Sequence, residues 1–221
     1  MSEHPPEGAQ LEPGVSTPEL LTLHGVRLLG FATSSAIAAR FALPADEVEE
    51  LLLDAEAMGL VTRHRSTGSN GWSLTDRGRA RDEQLLAAEI GDSADAVRQI
   101  HEAFVPLNGR FQAAVTRWQI RPLPGDALAA NDHSDHRWDD RVIGELGYLA
   151  TACVVLCRQL AAQLGRFEGY DLRLAAARDR MNRGQRAAVD GLRGESAGGE
   201  SLHTVWFELH EDLISTLGLQ R

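Results

Sequence analysis

The sequence predicts a mainly α protein with one small β-hairpin near its N-terminal end, and three features point that way. Helix formers dominate: Ala, Leu and Arg recur, long β-branched runs are few, and aromatics make up only 5% of the 221 residues. Apolar residues return at helical spacing along most of the chain. One stretch breaks that spacing. Leu60, Val61 and Thr62 on one side, and "GWSLT" (71–75) on the other, flank "STGSNG" (66–71) and read as two strands around a tip.

Each element follows from its residues in order. Residues 1–17 are rich in proline, glycine and glutamate, bury little, and read as a disordered tail. The first domain is expected over 18–90. "PELLTLHGVRLLG" forms a short apolar helix carrying Leu20, Leu21, His24, Val26 and Leu28 and ending near Gly30. "TSSAIAARFAL" follows, with Thr33 or Ser34 suited to the N-cap and Ile37, Ala38 and Phe41 turned inward. Leu43-Pro44 makes a turn, and Pro44 opens a third helix whose core stripe is Val48, Leu52 and Ala55. The hairpin comes next, and Thr75-Asp76 starts a fourth helix.

Helix, helix, turn, helix and hairpin is the order of a winged helix-turn-helix. Ser35, Ile37-Ala38, Leu43, Val48, Leu52 and Gly59-Leu60-Val61 stand where that pattern places small, apolar and turn residues. Over residues 20–90 the chain resembles the DNA-binding domains of MarR-like bacterial regulators. The resemblance implies a transcriptional regulator that forms a homodimer and contacts DNA. On it, Ser34 and Ser35 at the helix-turn-helix, and Arg63, His64, Arg65, Arg77, Arg79 and Arg81 in and behind the wing, are the candidate DNA-binding residues.

One segment opposes that expectation. "PADEVEELLLDAEAMGLV" (44–61) holds the helix that would read a groove, yet it carries Asp46, Glu47, Glu49, Glu50, Asp54 and Glu56 with no Lys or Arg before Met58. Direct readout uses Arg, Lys, Asn or Gln on base edges, and none is present. The net charge is −10. Either the wing leads the DNA contact, or the domain is an adaptor that binds a protein partner.

Residues 91–221 are expected to form an all-helical domain for dimerisation or ligand binding. Val97, Ile100, Phe104, Leu107, Phe111, Val115 and Trp118 make a stripe that Pro106 and Gly109 interrupt, in one long helix or two. "RPLPGDALAANDHSDHRWDD" (121–140) reads as a loop. The most apolar helix follows, with Val142, Leu146, Leu149, Cys153, Leu156, Leu160 and Leu164. Its two cysteines read as small buried apolar residues. A further helix is expected over 171–192, then a flexible connector "RGESAGGE", then "SLHTVWFELHEDLISTLG" capped by Gly218.

Candidate chemistry concentrates in "NDHSDHRWDD" (131–140), where imidazoles and carboxylates could meet a metal or a ligand. Its other reading is a polar surface loop with capping aspartates. The last helix adds His203, Phe207 and His210. The expected small-molecule site joins Trp118, Asp132, His133, Asp135 and His136 to these three, and its histidines would favour an anionic effector as pH falls through about 6.5. A metal-assisted enzyme is the weakest alternative; no nucleophile elbow, phosphate-binding loop or dinucleotide fingerprint supports catalysis, and no motif names a cofactor. The start of the chain lacks the basic and apolar segments of a signal peptide, and no apolar run is long enough for a membrane span; a cytoplasmic location is expected.

Overall fold

The structure is a computed structural model and describes residues 16–66, 69–190 and 199–219. Most of the tail, the tip of the hairpin and most of the glycine-rich connector therefore lie outside the described residues. Ser16 and Thr17, expected in the tail, are placed: Thr17 Oγ1 accepts the Leu20 N–H at 3.2 Å and caps the first helix.

The helices are α1 (Pro18–Leu29), α2 (Ser34–Phe41), α3 (Ala45–Ala57), α4 (Asp76–Ile90), α5 (Ala94–Gln119), α6 (His136–Ala161), α7 (Tyr170–Asn182), α8 (Ala187–Asp190) and α9 (Leu202–Thr216). Between α3 and α4, β1 (Val61–Ser66) pairs antiparallel with β2 (Ser69–Leu74). The chain divides into two compact units. Among the described residues, the first holds those up to 94 together with 164–166 and 214–219; the second holds those of 95–163 and 167–213. The single sequence boundary near residue 90 marks the long division but not the two short returns, which no local pattern announces.

In the first unit, α1, α2 and α3 close around Leu20, Leu23, Val26, Ile37, Val48 and Leu52, all at most 2% exposed, and α4 adds Leu85 and Leu86. The hairpin joins through Val61 and Trp72. Ala32 and Trp72 form an isolated antiparallel bridge, exchanging N–H···O bonds of 3.2 and 2.8 Å. Gly71 permits that approach, since a Cβ there would stand 2.9 Å from the Ala32 carbonyl oxygen. The N-caps of α2 and α4 are side-chain oxygens: Thr33 Oγ1 accepts from Ala36 N–H and Thr75 Oγ1 from Gly78 N–H.

Helix α3 ends on Gly59 at φ +71°, with Gly59 N–H bonded to Glu56 O and Leu60 N–H to Ala55 O. The end of α2 uses the same device without glycine: Ala42 sits at φ 53°. A left-handed conformation costs an L-residue roughly 1–2 kcal/mol, partly offset by the smaller unfolded-state entropy of Ala. Ala42→Gly is therefore expected to stabilise the fold by about 0.5–1 kcal/mol. Urea titration would show it as a raised midpoint; an unchanged or lowered midpoint would mean that the turn is not strained.

The described elements of the second unit are helices, joined between α5 and α6 by a loop with two isolated bridges, Ile120 to Ala130 and Leu123 to Asp126. Helix α5 runs unbroken for 26 residues through Pro106. The expected interruption does not occur because Val97, Phe104, Phe111 and Trp118 bury one face at seven-residue spacing, while Pro106 and Gly109 lie on exposed positions. A carbonyl released by the proline there meets solvent. Phe111 stacks on Trp206 of α9 at 4.1 Å with 2° between the rings, and Trp206 Nε1 donates to Asn108 Oδ1 at 3.0 Å. The helix expected over 171–192 stops at Asn182, where Gly184 at φ +80° turns the chain before α8. The last helix ends as expected, with Gly218 at φ +62°.

Cys153 and Cys157 are buried and free. A hydrogen bond that Cys153 gives to Cys157, together with burial, pushes the Cys153 thiol well up, which keeps it protonated.

Candidate functional site

In the first unit the candidate cations of the hairpin and of α4 fall into two sets. Arg63 is engaged: its guanidinium lies 4.8 Å over the Trp72 ring and pairs with Glu49 of α3 at 3.1 Å. Arg81 pairs with Glu19 at 2.8 Å, and His64 Nε2 meets Ser73 Oγ at 2.8 Å. Arg65, Arg77 and Arg79 are exposed and, among the described residues, form no ion pair. Ser34 is half-buried at the start of α2, and Ser35 Oγ lies 2.9 Å from Thr33 Oγ1. On α3, Asp46, Glu50, Asp54 and Glu56 are exposed, with Leu53 at 43% and Met58, just past its end, at 50%.

The loop of the second unit ends earlier than expected. Asp135 caps α6 by accepting the Trp138 N–H at 3.1 Å, so His136 to Asp140 form the first turn of the helix, with His136 exposed. Asp132 and Asp135 face Arg121, at 3.5 and 3.3 Å. The Asp132 carboxyl is held below the usual range by the Ser134 N–H and hydroxyl, with Arg121 adding to it; that of Asp135 is lowered by the Trp138 N–H and then by Arg121. Lowered folded values mean that both groups stabilise the loop fully above about pH 4 and lose that contribution as pH falls through the folded value.

His133 is the residue that the loop presents differently. It adopts φ 58°, and its ring lies 4.3 Å from Trp118. Its Nδ1 is 3.0 Å from Asp139 Oδ2. Asn131 binds the arrangement together: Nδ2 donates to Asp139 Oδ1 and to the Trp118 carbonyl, each at 2.9 Å, while Oδ1 accepts the His133 N–H at 3.1 Å. The side chain of Asp139 is 8% exposed and that of His133 21%. On the far edge of Trp118, Nε1 donates to Asp190 Oδ1 at 3.3 Å, and Gln119 Nε2 donates to Asp190 Oδ2 at 3.2 Å.

The last helix supplies a separate group. His203, exposed, packs on Phe111 at 6.3 Å, and His210 on Phe104 at 5.6 Å. Phe207 is 49% exposed. Trp118 follows Phe111 by seven residues on α5, about 10 Å along the axis at 1.5 Å per residue. The structure thus joins Trp118 with His133 and packs His203 and His210 of α9 against earlier turns of α5. Asp132 and Asp135 turn to Arg121 instead of to these histidines. Asn131, Asp139, Asp190 and Gln119 are the members that sequence reasoning left out of the site. The spacing of Asn131, His133 and Asp139 within one quoted string is the signal that could have found three of the contacts.

Among the described residues no group of three or more His, Cys, Asp or Glu side chains gathers as a metal set. The loop carboxylates Asp132 and Asp135 pair with Arg121, Asp135 caps α6, and Asp139 accepts from Asn131. No described helix is long and apolar enough to cross a membrane.

Glu208, fully buried on α9, pairs with Arg173 at 2.7 Å, and Arg173 also binds Glu200. Burial alone would lower this guanidinium; hydrogen bonds to Glu208 and Glu200 outweigh it and push it up. Tyr170 donates to buried Asp212 at 3.1 Å. These groups satisfy one another and read as packing. No family model, curated protein or solved structure matches the chain.

Proposed function

We propose that the protein is a winged-helix regulator whose N-terminal unit contacts DNA through its wing and whose helical unit dimerises and senses a small molecule. One observation carries this reading. An isolated bridge from Ala32 to Trp72 ties the segment after α1 to the hairpin, and the exposed arginines Arg65, Arg77 and Arg79 stand on and behind that hairpin without ion pairs among the described residues. Phosphate contact needs cations free to pair. The acidic α3 stays out of the groove, because its carboxylates would face phosphates within a Debye length of about 8 Å.

Gel-shift titration against duplex DNA over a range of salt tests this. Arg65→Ala, Arg77→Ala and Arg79→Ala are each expected to reduce the slope of log K against log salt by about 1. Arg63→Ala is expected to act differently, through loss of the Trp72 and Glu49 contacts and hence through stability. Unchanged slopes in all three variants would remove the wing from the interface. Concentration-dependent mass in sedimentation tests the dimer.

A second reading, an adaptor for a protein partner, is favoured by exposed Leu53 and Met58 among the α3 acids. It gains if the chain binds no duplex even at about 50 mM salt, where phosphate contacts are strongest.

A further inference from the structure

The His133 arrangement fixes which ring nitrogen holds the proton. An ionised carboxylate only accepts hydrogen bonds. Asn131 Nδ2 also lies 3.2 Å from His133 Nδ1, but its two hydrogens go to Asp139 Oδ1 and the Trp118 carbonyl at the shorter 2.9 Å. His133 Nδ1, 3.0 Å from Asp139 Oδ2, therefore donates. Asp139 is kept in position because its other oxygen accepts from Asn131 at 2.9 Å. The neutral ring then carries its lone pair on Nε2. No interaction of Nε2 with another described residue accompanies these contacts, and the side chain is 21% exposed. Trp118 under the ring and a left-handed backbone at φ 58° hold the imidazole still. A non-glycine residue in that conformation persists where its surroundings over-determine it. A surface clip needs no such agreement among Asn131, Asp139 and Trp118 on one ring.

We infer that His133 is a poised acceptor: its Nε2 takes a hydrogen bond or a proton from a hydroxyl or N–H group of a small ligand, with Asp139 as the positioning residue. This rests on the sensing role proposed for the helical unit and names the ligand class. The ligand brings a donor to Nε2, where the sequence alone suggested an anion.

Diethyl pyrocarbonate tests the assignment without knowledge of the ligand. The Nε2 lone pair attacks a carbonyl carbon of the reagent; an N–C bond forms and a C–O bond breaks. The Nδ1 proton leaves through Asp139 or solvent, and the departing ethyl carbonate takes up a proton and decomposes to ethanol and carbon dioxide. Site-resolved mass spectrometry at neutral pH is expected to show His133 modified about threefold or more faster than exposed His136. In Asp139→Asn, the amide oxygen still accepts from Asn131 and its NH2 donates to Nδ1. The ring proton then moves to Nε2, and the His133 rate is expected to fall below that of His136. Nitrogen-15 NMR of the unmodified protein reads the tautomer directly, so the assignment stays testable if that variant does not fold.

Slower modification of His133 than of His136, equal His133 rates in the folded variant and the parent, or a protonated Nε2 in the neutral ring would each overturn the inference. A screen that finds no stabilising small molecule would instead sink the sensing role, while the reagent still reports on Nε2.

Discussion

Replacing Gly78 by Ala is expected to destabilise the N-terminal unit by about 3 kcal/mol, the upper range of overpacking. Helix propensity alone gives the opposite sign, since Ala gains about 1 kcal/mol over Gly inside a helix. The structure decides between them. Gly78 lies in the first turn of α4, its N–H bonded to Thr75 Oγ1 at 3.0 Å. Thr75 in turn donates to the carbonyls of Gly59 and Leu60. A Cβ on Gly78 would stand 1.9 Å from the Leu60 carbonyl oxygen, a backbone atom that no side-chain rotation can move. Relief requires α4 to shift away from the start of β1, with loss of the Thr75 bonds. Urea unfolding followed by Trp fluorescence measures the effect. A variant as stable as the parent, or more so, would show that α4 does not approach the strand this closely.

Arg166→Met is expected to cost about 3–5 kcal/mol, the range for removing one partner of a buried ion pair. Arg166 and Glu89 are fully buried side chains, 2.6 Å apart. Arg166 also donates to Thr216 Oγ1 and faces His24 Nε2 at 3.5 Å. Because a guanidinium only donates and a carboxylate only accepts, His24 carries its proton on Nδ1 and gives it to Asp82 at 3.2 Å. Arg27 supplies a second cation to Asp82 at 3.2 Å. Removing Arg166 leaves the Glu89 carboxylate buried without its cation. Adding Glu89→Gln should recover part of the loss, and the double-mutant cycle isolates the pair. A single-variant cost below about 1 kcal/mol, the usual value for exposed pairs, would mean that water reaches the network.

That network shows how far sequence reading reaches. His24 was read as one more position on an apolar helix, and it is buried as that reading requires. Asp82 and Glu89, not singled out from the sequence, are buried on the same face of α4 as Leu85 and Leu86, at helical spacing. Arg166 had no comparable signal, because its partners lie 77 and 50 residues away in the chain. The site of the second unit divides similarly. The string "NDHSDH" marked where polar chemistry would gather, but not that Asp132 and Asp135 would turn to Arg121, or that Asp190 would reach Trp118 from α8.

By itself, the sequence determined the local elements. Threonine caps, glycines at helix ends and apolar spacing act within a turn or two, so they can be read without knowing the neighbours. Tertiary structure alone decided which polar groups are spent and which remain available. Arg63 is held by Trp72 and Glu49 while Arg65 is exposed two residues on. His133 is fixed by Asp139 and Asn131 while His136 stands exposed in the first turn of α6. The physical reason is that a hydrogen bond or ion pair depends on separations of a few ångströms, and chain positions far apart in sequence reach such separations only when the elements pack.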